Sequence, residues 1–234
     1  MLYLALFIGT MLLVVTTKLT QFLKLSGIWV LLGQISASLI IIMVGNLEIS
    51  YIKQIELGYI TIPFSLLFLI GFTNVMNMEK EQTPLILLLP CVSFVSLSIS
   101  AFIMGYSFVS ITGIWASLII MFVLLYSYFS GKVFVGRTLT TSIGFIIAVL
   151  SLALFKTSVV TMYIPVFTLA LPFALYYLIQ NKFTTVQSIT ISSLMAVFFS
   201  VLMFVVPFNT LWYLIVGLTV LLVIMQLSRR YRFI

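Results

Sequence analysis

QTPLILLLPCVSFVSLSISAFIMGYSFVSITGIWASLIIMFVLLYSYFSG, residues 82–131, carries no charged side chain from end to end. A helix needs about 20 mostly apolar residues to cross the ~30 Å hydrocarbon core of a bilayer. The run is therefore long enough for two crossings, and Gly105-Tyr106-Ser107 near its middle supplies the turn between them. This one stretch fixes the class: two adjacent membrane helices joined by a tight connection.

Working outward, further uncharged runs occupy residues 1–17, 25–47, 57–78, 138–155, 157–181 and 183–228. The last is again long enough for two helices, and Pro207-Phe208-Asn209 divides it. Spans are expected near 2–17, 27–44, 59–77, 85–104, 108–129, 139–155, 159–179, 188–206 and 210–227. The sequence thus predicts an all-α integral membrane protein of about nine transmembrane helices, one polytopic domain over residues 1–234. Residues 1–17 lack a basic leading segment and an evident cleavage site, so they read as a retained first helix. Residues 45–58 form the longest external loop and alternate enough for a small hairpin or interfacial strand.

Composition supports the same class. Hydrophobic residues make up 63% of the chain and charged ones 6%, with a mean hydropathy of +1.34, against roughly 25% charged residues in a soluble domain. The net charge of +7 does not point to nucleic acid, because the basic residues stand singly between apolar runs. Membrane topology accounts for them. With the N-terminus outside and the C-terminus cytoplasmic, Lys18, Lys24, Lys80, Lys132, Arg137, Lys182, Arg229, Arg230 and Arg232 all face the cytoplasm, and only Lys53 and Lys156 face out. Arg229-Arg230-Tyr231-Arg232 then anchors the tail near anionic lipid.

The chemistry available is narrow. The chain has no Asp and no His, and its acids are Glu48, Glu56, Glu79 and Glu81. Cys91 is the only cysteine, which rules out a disulfide within the chain and speaks against a cysteine-based metal site, and it reads as a small packing residue. No span carries an ionisable residue at its centre, which speaks against an ion-coupled pump.

Three segments resemble those of the polyprenyl-phosphate N-acetylhexosamine-1-phosphate transferases, glycosyltransferase family 4, relatives of the peptidoglycan phospho-muramoyl-pentapeptide transferase. Ile62-Pro63 through Gly71-Phe72-Thr73-Asn74-Val75-Met76-Asn77-Met78 resembles the helix leading into the family's Thr-Asn-x-x-Asn-Leu-x-Asp-Gly-x-Asp-Gly. Lys132-Val133-Phe134-Val135-Gly136-Arg137-Thr138, with Gly144 beyond, resembles Lys-x-Phe-x-Gly-Asp-x-Gly-Ser. Leu171-Pro172, Tyr176 and Asn181-Lys182 resemble the family's Pro-x-x-Asp helix. The similarity covers most of residues 1–185 and implies the transferase core without its first two helices.

Every departure from the family pattern falls on its chemistry. Thr16 and Thr17 stand where the family has a consecutive Asp pair, Lys80 and Thr83 where its second acidic motif has Asp, Arg137 where it has the magnesium-binding Asp, and Leu175 at the Asp of the Pro-x-x-Asp helix. The cytoplasmic His-rich loop is shortened to Asn181–Gln187. Magnesium wants hard oxygen ligands in an octahedron, commonly carboxylates, phosphates and waters. Neither Thr nor Lys replaces a carboxylate, and a fixed Arg137 cation repels the ion by several kcal/mol at ~4 Å and an effective dielectric near 20.

Candidate contacts to a lipid phosphate or other ligand are Asn74, Asn77, Lys80, Lys132, Arg137 and Lys18. Asn74 and Asn77 share a helix face and serve either as ligand contacts or as interhelical hydrogen-bonding residues. The cations either gather around an inherited cleft, with Lys182 among them, or simply obey positive-inside topology. Ser93, Ser96, Ser98 and Ser100 read as close-packing residues, and Pro63, Pro90 and Pro172 as kinks.

The resemblance implies a catalytically inactive homologue of the sugar-1-phosphate transferases in a bacterial plasma membrane. No metal site and no cofactor are expected, and its partners are membrane lipid, polyprenyl phosphate, an envelope-synthesis protein or a second copy of itself. Two alternatives stand beside it. One is an active transferase that uses Glu79 or Glu81 with acids from another subunit, and magnesium with them. The other is a non-enzymatic transport or assembly factor for lipid carriers.

Overall fold

The computed structural model describes residues 1–49, 51, 52, 55, 56, 58–77, 83–131, 135–155, 163–206, 210, 213 and 217, and for 51, 52, 55, 56 and 155 only the backbone. Helix α1 runs over Leu2–Phe22 and α2 over Gly27–Met43. A short antiparallel pair follows, β1 at Tyr51–Ile52 and β2 at Ile55–Glu56, with Tyr51 opposite Glu56 and Ile52 opposite Ile55. The hairpin expected within residues 45–58 is therefore present, too small to alter the helical class.

A 3-10 turn at Gly58–Ile60 leads into α3, Thr61–Val75, and another at Pro84–Leu87 leads into α4, Leu88–Ile103. Helices α5, Ser107–Ser130, and α6, Arg137–Phe155, complete the next pair. A continuous apolar helix then spans Tyr163–Ile179. It consists of α7 (Tyr163–Pro165), a π-helical turn (Val166–Ala170) and α8 (Leu171–Ile179), and α9 covers Thr185–Val205.

Local sequence explains these ends. Gly105 sits at φ +72, so the α4–α5 connection turns where Gly105-Tyr106-Ser107 predicted it. Thr184 accepts a hydrogen bond from the Gln187 backbone N–H while the Gln187 side chain accepts from the Thr184 N–H, a reciprocal cap that starts α9. Pro63 and Pro90 fall at the third residues of α3 and α4, where the continuous segments Gly58–Val75 and Pro84–Ile103 change from 3-10 to α-helix. Pro172 differs. It follows the π-helical turn, which takes up the register disturbed by a proline lacking its hydrogen.

Among the described residues six helical segments are long and apolar enough to cross a membrane: Leu2–Phe22, Gly58–Val75, Pro84–Ile103, Ser107–Ser130, Arg137–Leu154 and Thr185–Val205. The segments expected at 27–44 and 159–179 form the shorter apolar helices Gly27–Met43 and Tyr163–Ile179. At ~1.5 Å per residue, the 17 residues of α2 rise only about 26 Å, less than a full crossing. The expected ninth span, 210–227, lies almost wholly outside the described residues.

Helix α6 is the centre of the bundle. Of its apolar window 78% is buried, against 28% for α1, α5 and α9, and Phe145, Ile147, Ala148, Val149 and Leu150 have no exposed surface. It packs on α1 and α3, α1 packs on α2, and α2 on α3. These four helices close into a ring. Helices α4 and α5 pair beside it, and α8 with α9 forms an outer pair joined to α4. Ser93 Oγ and Thr168 Oγ1 share a hydrogen bond at 2.7 Å, as do Ser96 Oγ and Ser200 Oγ, fastening α4 to the π-helical turn and to α9.

Candidate functional site

At one end of the ring α1 and α3 finish and α2 and α6 begin. Asn74 lies on the last turn of α3. Its Nδ2 donates to Gln34 Oε1 at 3.0 Å, and Gln34 Nε2 donates back to Asn74 Oδ1 at 3.1 Å. Asn74 Nδ2 also reaches the Ile70 carbonyl at 3.0 Å. Asn77, just past the helix end, donates Nδ2 to Asn74 Oδ1 at 3.0 Å. Arg137, the first residue of α6, then donates Nε to Asn77 Oδ1 at 2.8 Å.

One chain of hydrogen bonds thus runs from α2 through α3 to α6. A parallel link joins α1 to α6, where Thr138 Oγ1 donates to Gln21 Oε1 at 3.3 Å. The Arg137 carbonyl in turn accepts from Thr140 Oγ1 at 3.0 Å and Thr141 Oγ1 at 2.8 Å, so the first turn of α6 is held on both sides.

The electrostatics of this end are positive. Arg137 is half-buried and sits at a helix N-terminus, where the backbone dipole already disfavours a cation, and no acidic residue lies in that first turn. Lys18 is exposed near the end of α1. Lys182 and Asn181 are exposed after α8. Lys80 and Lys132 fall outside the described residues, as do Glu79 and Glu81.

The positions that resemble lost acids are occupied by packing. Thr16 Oγ1 donates to the Leu12 and Leu13 carbonyls at 2.9 and 3.1 Å, and its side chain lies directly against Gly33 of α2. Thr17 is fully buried, and its hydroxyl has no hydrogen-bond partner among the described residues. Thr83 is exposed at the start of the Pro84–Leu87 turn and makes no side-chain cap. Leu175 is half-buried on α8, a helix that packs on α9.

Among the described residues no three His, Cys, Asp or Glu side chains come together. Thr16, Thr17 and Arg137 offer a hydroxyl already committed to backbone carbonyls, a buried hydroxyl and a cation bonded to an amide. Such a set does not suit a hard divalent ion.

Sequence reasoning singled out Asn74, Asn77 and Arg137, which the structure joins, but not Gln34, Gln21 or Thr138, which complete the network. Gln34 could have been found: it is the one side-chain amide in the apolar run of α2, and it is 2% exposed. A buried amide facing hydrocarbon without a partner is costly, so its presence implies one on a neighbouring helix.

Fold and site together define a multi-pass helical membrane protein whose polar residues converge at one end of a four-helix ring. The model of glycosyl transferase family 4 matches residues 3–155, about two thirds of the chain and all of α1–α6 but the first residue of α1. The chain belongs to that family, a glycosyl-1-phosphate transferase type of membrane protein. Two of the three resembling segments fall within the matched range, while the third, around Leu171–Lys182, lies beyond it. No curated protein sequence matches the chain significantly.

Proposed function

We propose that this chain is a catalytically inactive member of its family that binds polyprenyl phosphate, in a bacterial plasma membrane. The observation that carries the reading is the Arg137–Asn77 bond: a cation, tied to an amide, stands at the position where the resemblance expects a magnesium-binding carboxylate. Thr16 and Thr17 point the same way, because both are consumed by helix packing.

An apolar groove supports the lipid half of the reading. Phe64, Leu67, Phe68, Gly71, Phe72 and Val75 of α3 and Ala170 of the π-helical turn enclose about 390 Å³ of wholly apolar lining. Its last α3 residue, Val75, lies in sequence between Asn74 and Asn77. A hydrocarbon chain in the groove and an anionic headgroup near Arg137 would each meet matching chemistry.

The test is direct. Purified protein supplied with undecaprenyl phosphate, magnesium and UDP-N-acetylhexosamines should release no UMP while retaining the lipid phosphate through purification. Turnover would refute the inactive half of the reading, and failure to retain the lipid would refute the binding half.

A further inference from the structure

Resting on that lipid-phosphate reading, we propose that Arg137 is a metal-independent receptor for a phosphate monoester, aimed by an amide chain in which Gln34 is the anchoring, positioning residue.

A guanidinium carries five N–H donors in a rigid fork. The Arg137 Nε–H is given to Asn77 Oδ1, and among the described residues this neutral amide is its one polar side-chain partner. The two terminal nitrogens keep their donors, and these form the edge that matches two phosphate oxygens at once. A half-buried cation whose partner among the described residues is a neutral oxygen is incompletely compensated by them, and a dianionic phosphate supplies matching charge.

The direction of the fork depends on residues well behind it. Asn77 can present its oxygen to Arg137 only if its NH2 points the other way, toward Asn74 Oδ1. Asn74 Oδ1 faces Asn77 because Asn74 Nδ2 is occupied by Gln34 Oε1 and the Ile70 carbonyl, and Gln34 Nε2 donates to that same Oδ1. Both hydrogens and both acceptor sites of the Asn74 amide are therefore in use. Turning the Asn77 amide over would set two N–H groups face to face. The Ile70 carbonyl and the Arg137 Nε–H, whose polarity cannot reverse, set the sense of the chain, and Gln34, buried on a different helix, holds the Asn74 amide in place by two hydrogen bonds.

The receptor follows from covalently attached charge alone, so a divalent ion adds nothing to it and competes for the same phosphate oxygens. The full chain in nanodiscs, titrated with decaprenyl phosphate and with decaprenol, should prefer the phosphate equally in EDTA and in magnesium. Arg137→Gln should weaken the phosphate complex by roughly tenfold or more and Arg137→Lys by less. Gln34→Leu, which touches no ligand, should weaken decaprenyl phosphate several-fold while leaving decaprenol binding unchanged, a selective loss that mere loosening of the bundle would not produce.

Inorganic phosphate serves as competitor. Displacement of decaprenyl phosphate at similar concentration supports a receptor for free phosphate, and resistance supports one for the lipid headgroup. A wild-type preference for phosphate that survives Arg137→Gln overturns the inference and leaves the proposed function standing. A wild type that binds decaprenol as well as decaprenyl phosphate overturns both. A requirement for magnesium overturns the inference, and should Arg137→Gln not fold, unchanged binding in Arg137→Lys and Gln34→Leu does so instead.

Discussion

The backbone of Gly33 in α2 passes so close to Thr16 in α1 that a β-carbon on Gly33 would lie 2.7 Å from Thr16 Cβ. The first two helices of the ring are therefore locked together at the level of Thr16 and Gly33. A β-carbon on Gly71, by contrast, would meet nothing within 4 Å. Gly33→Ala should lower stability by about 1–3 kcal/mol through overpacking. Gly71→Ala should be neutral or raise it by up to about 1 kcal/mol through helix propensity. Thermal unfolding in detergent compares the two directly, and equal effects would contradict this packing.

Gln34 and Asn74 exchange two hydrogen bonds across α2 and α3. Asn74→Leu should cost about 1–2 kcal/mol, because it strands the buried Gln34 amide, and Gln34→Leu less, because the Asn74 amide it leaves is exposed. The double variant should cost less than the sum, with a coupling near 0.6–1.7 kcal/mol. Additive losses in a double-mutant cycle would mean that the two amides do not act as a pair.

The Ser93–Thr168 bond ties α4 to the π-helical turn. Ser93→Ala should destabilise by about 0.5–1.5 kcal/mol. Cys91→Ser, two residues away on a half-buried position, lacks such a partner side chain and should change stability by less. Urea or thermal unfolding of both variants makes the comparison.

Gly105 holds φ +72 between α4 and α5. Gly105→Ala should cost about 1–2 kcal/mol, and Gly105→Asn less, because Asn tolerates the left-handed region. The order of the two transition temperatures is the readout.

Much of the fold was legible because a bilayer makes the sequence speak plainly. The uncharged run at 82–131 became α4 and α5, and Gly105 turned between them as its position predicted. The end of α2 was legible to within one residue, since the expected span 27–44 stops at Met43. The π-helical turn was hidden, since only Pro172 hinted at it and a proline is compatible with several distortions. At the site, Asn74, Asn77 and Arg137 were recognisable from the resembling motifs. Their partners were not, because Gln34 is 40 residues from Asn74 in the chain and Arg137 is 60 from Asn77, and no spacing rule relates helices that meet only in three dimensions.

Thr16 closes its hydroxyl onto the preceding turn of its own helix and asks nothing of any neighbour. A carboxylate at that level must be answered by a metal or a cation; a self-contained alcohol need not be. The wall between α1 and α2 therefore closes on itself at this level and needs no ion to hold it.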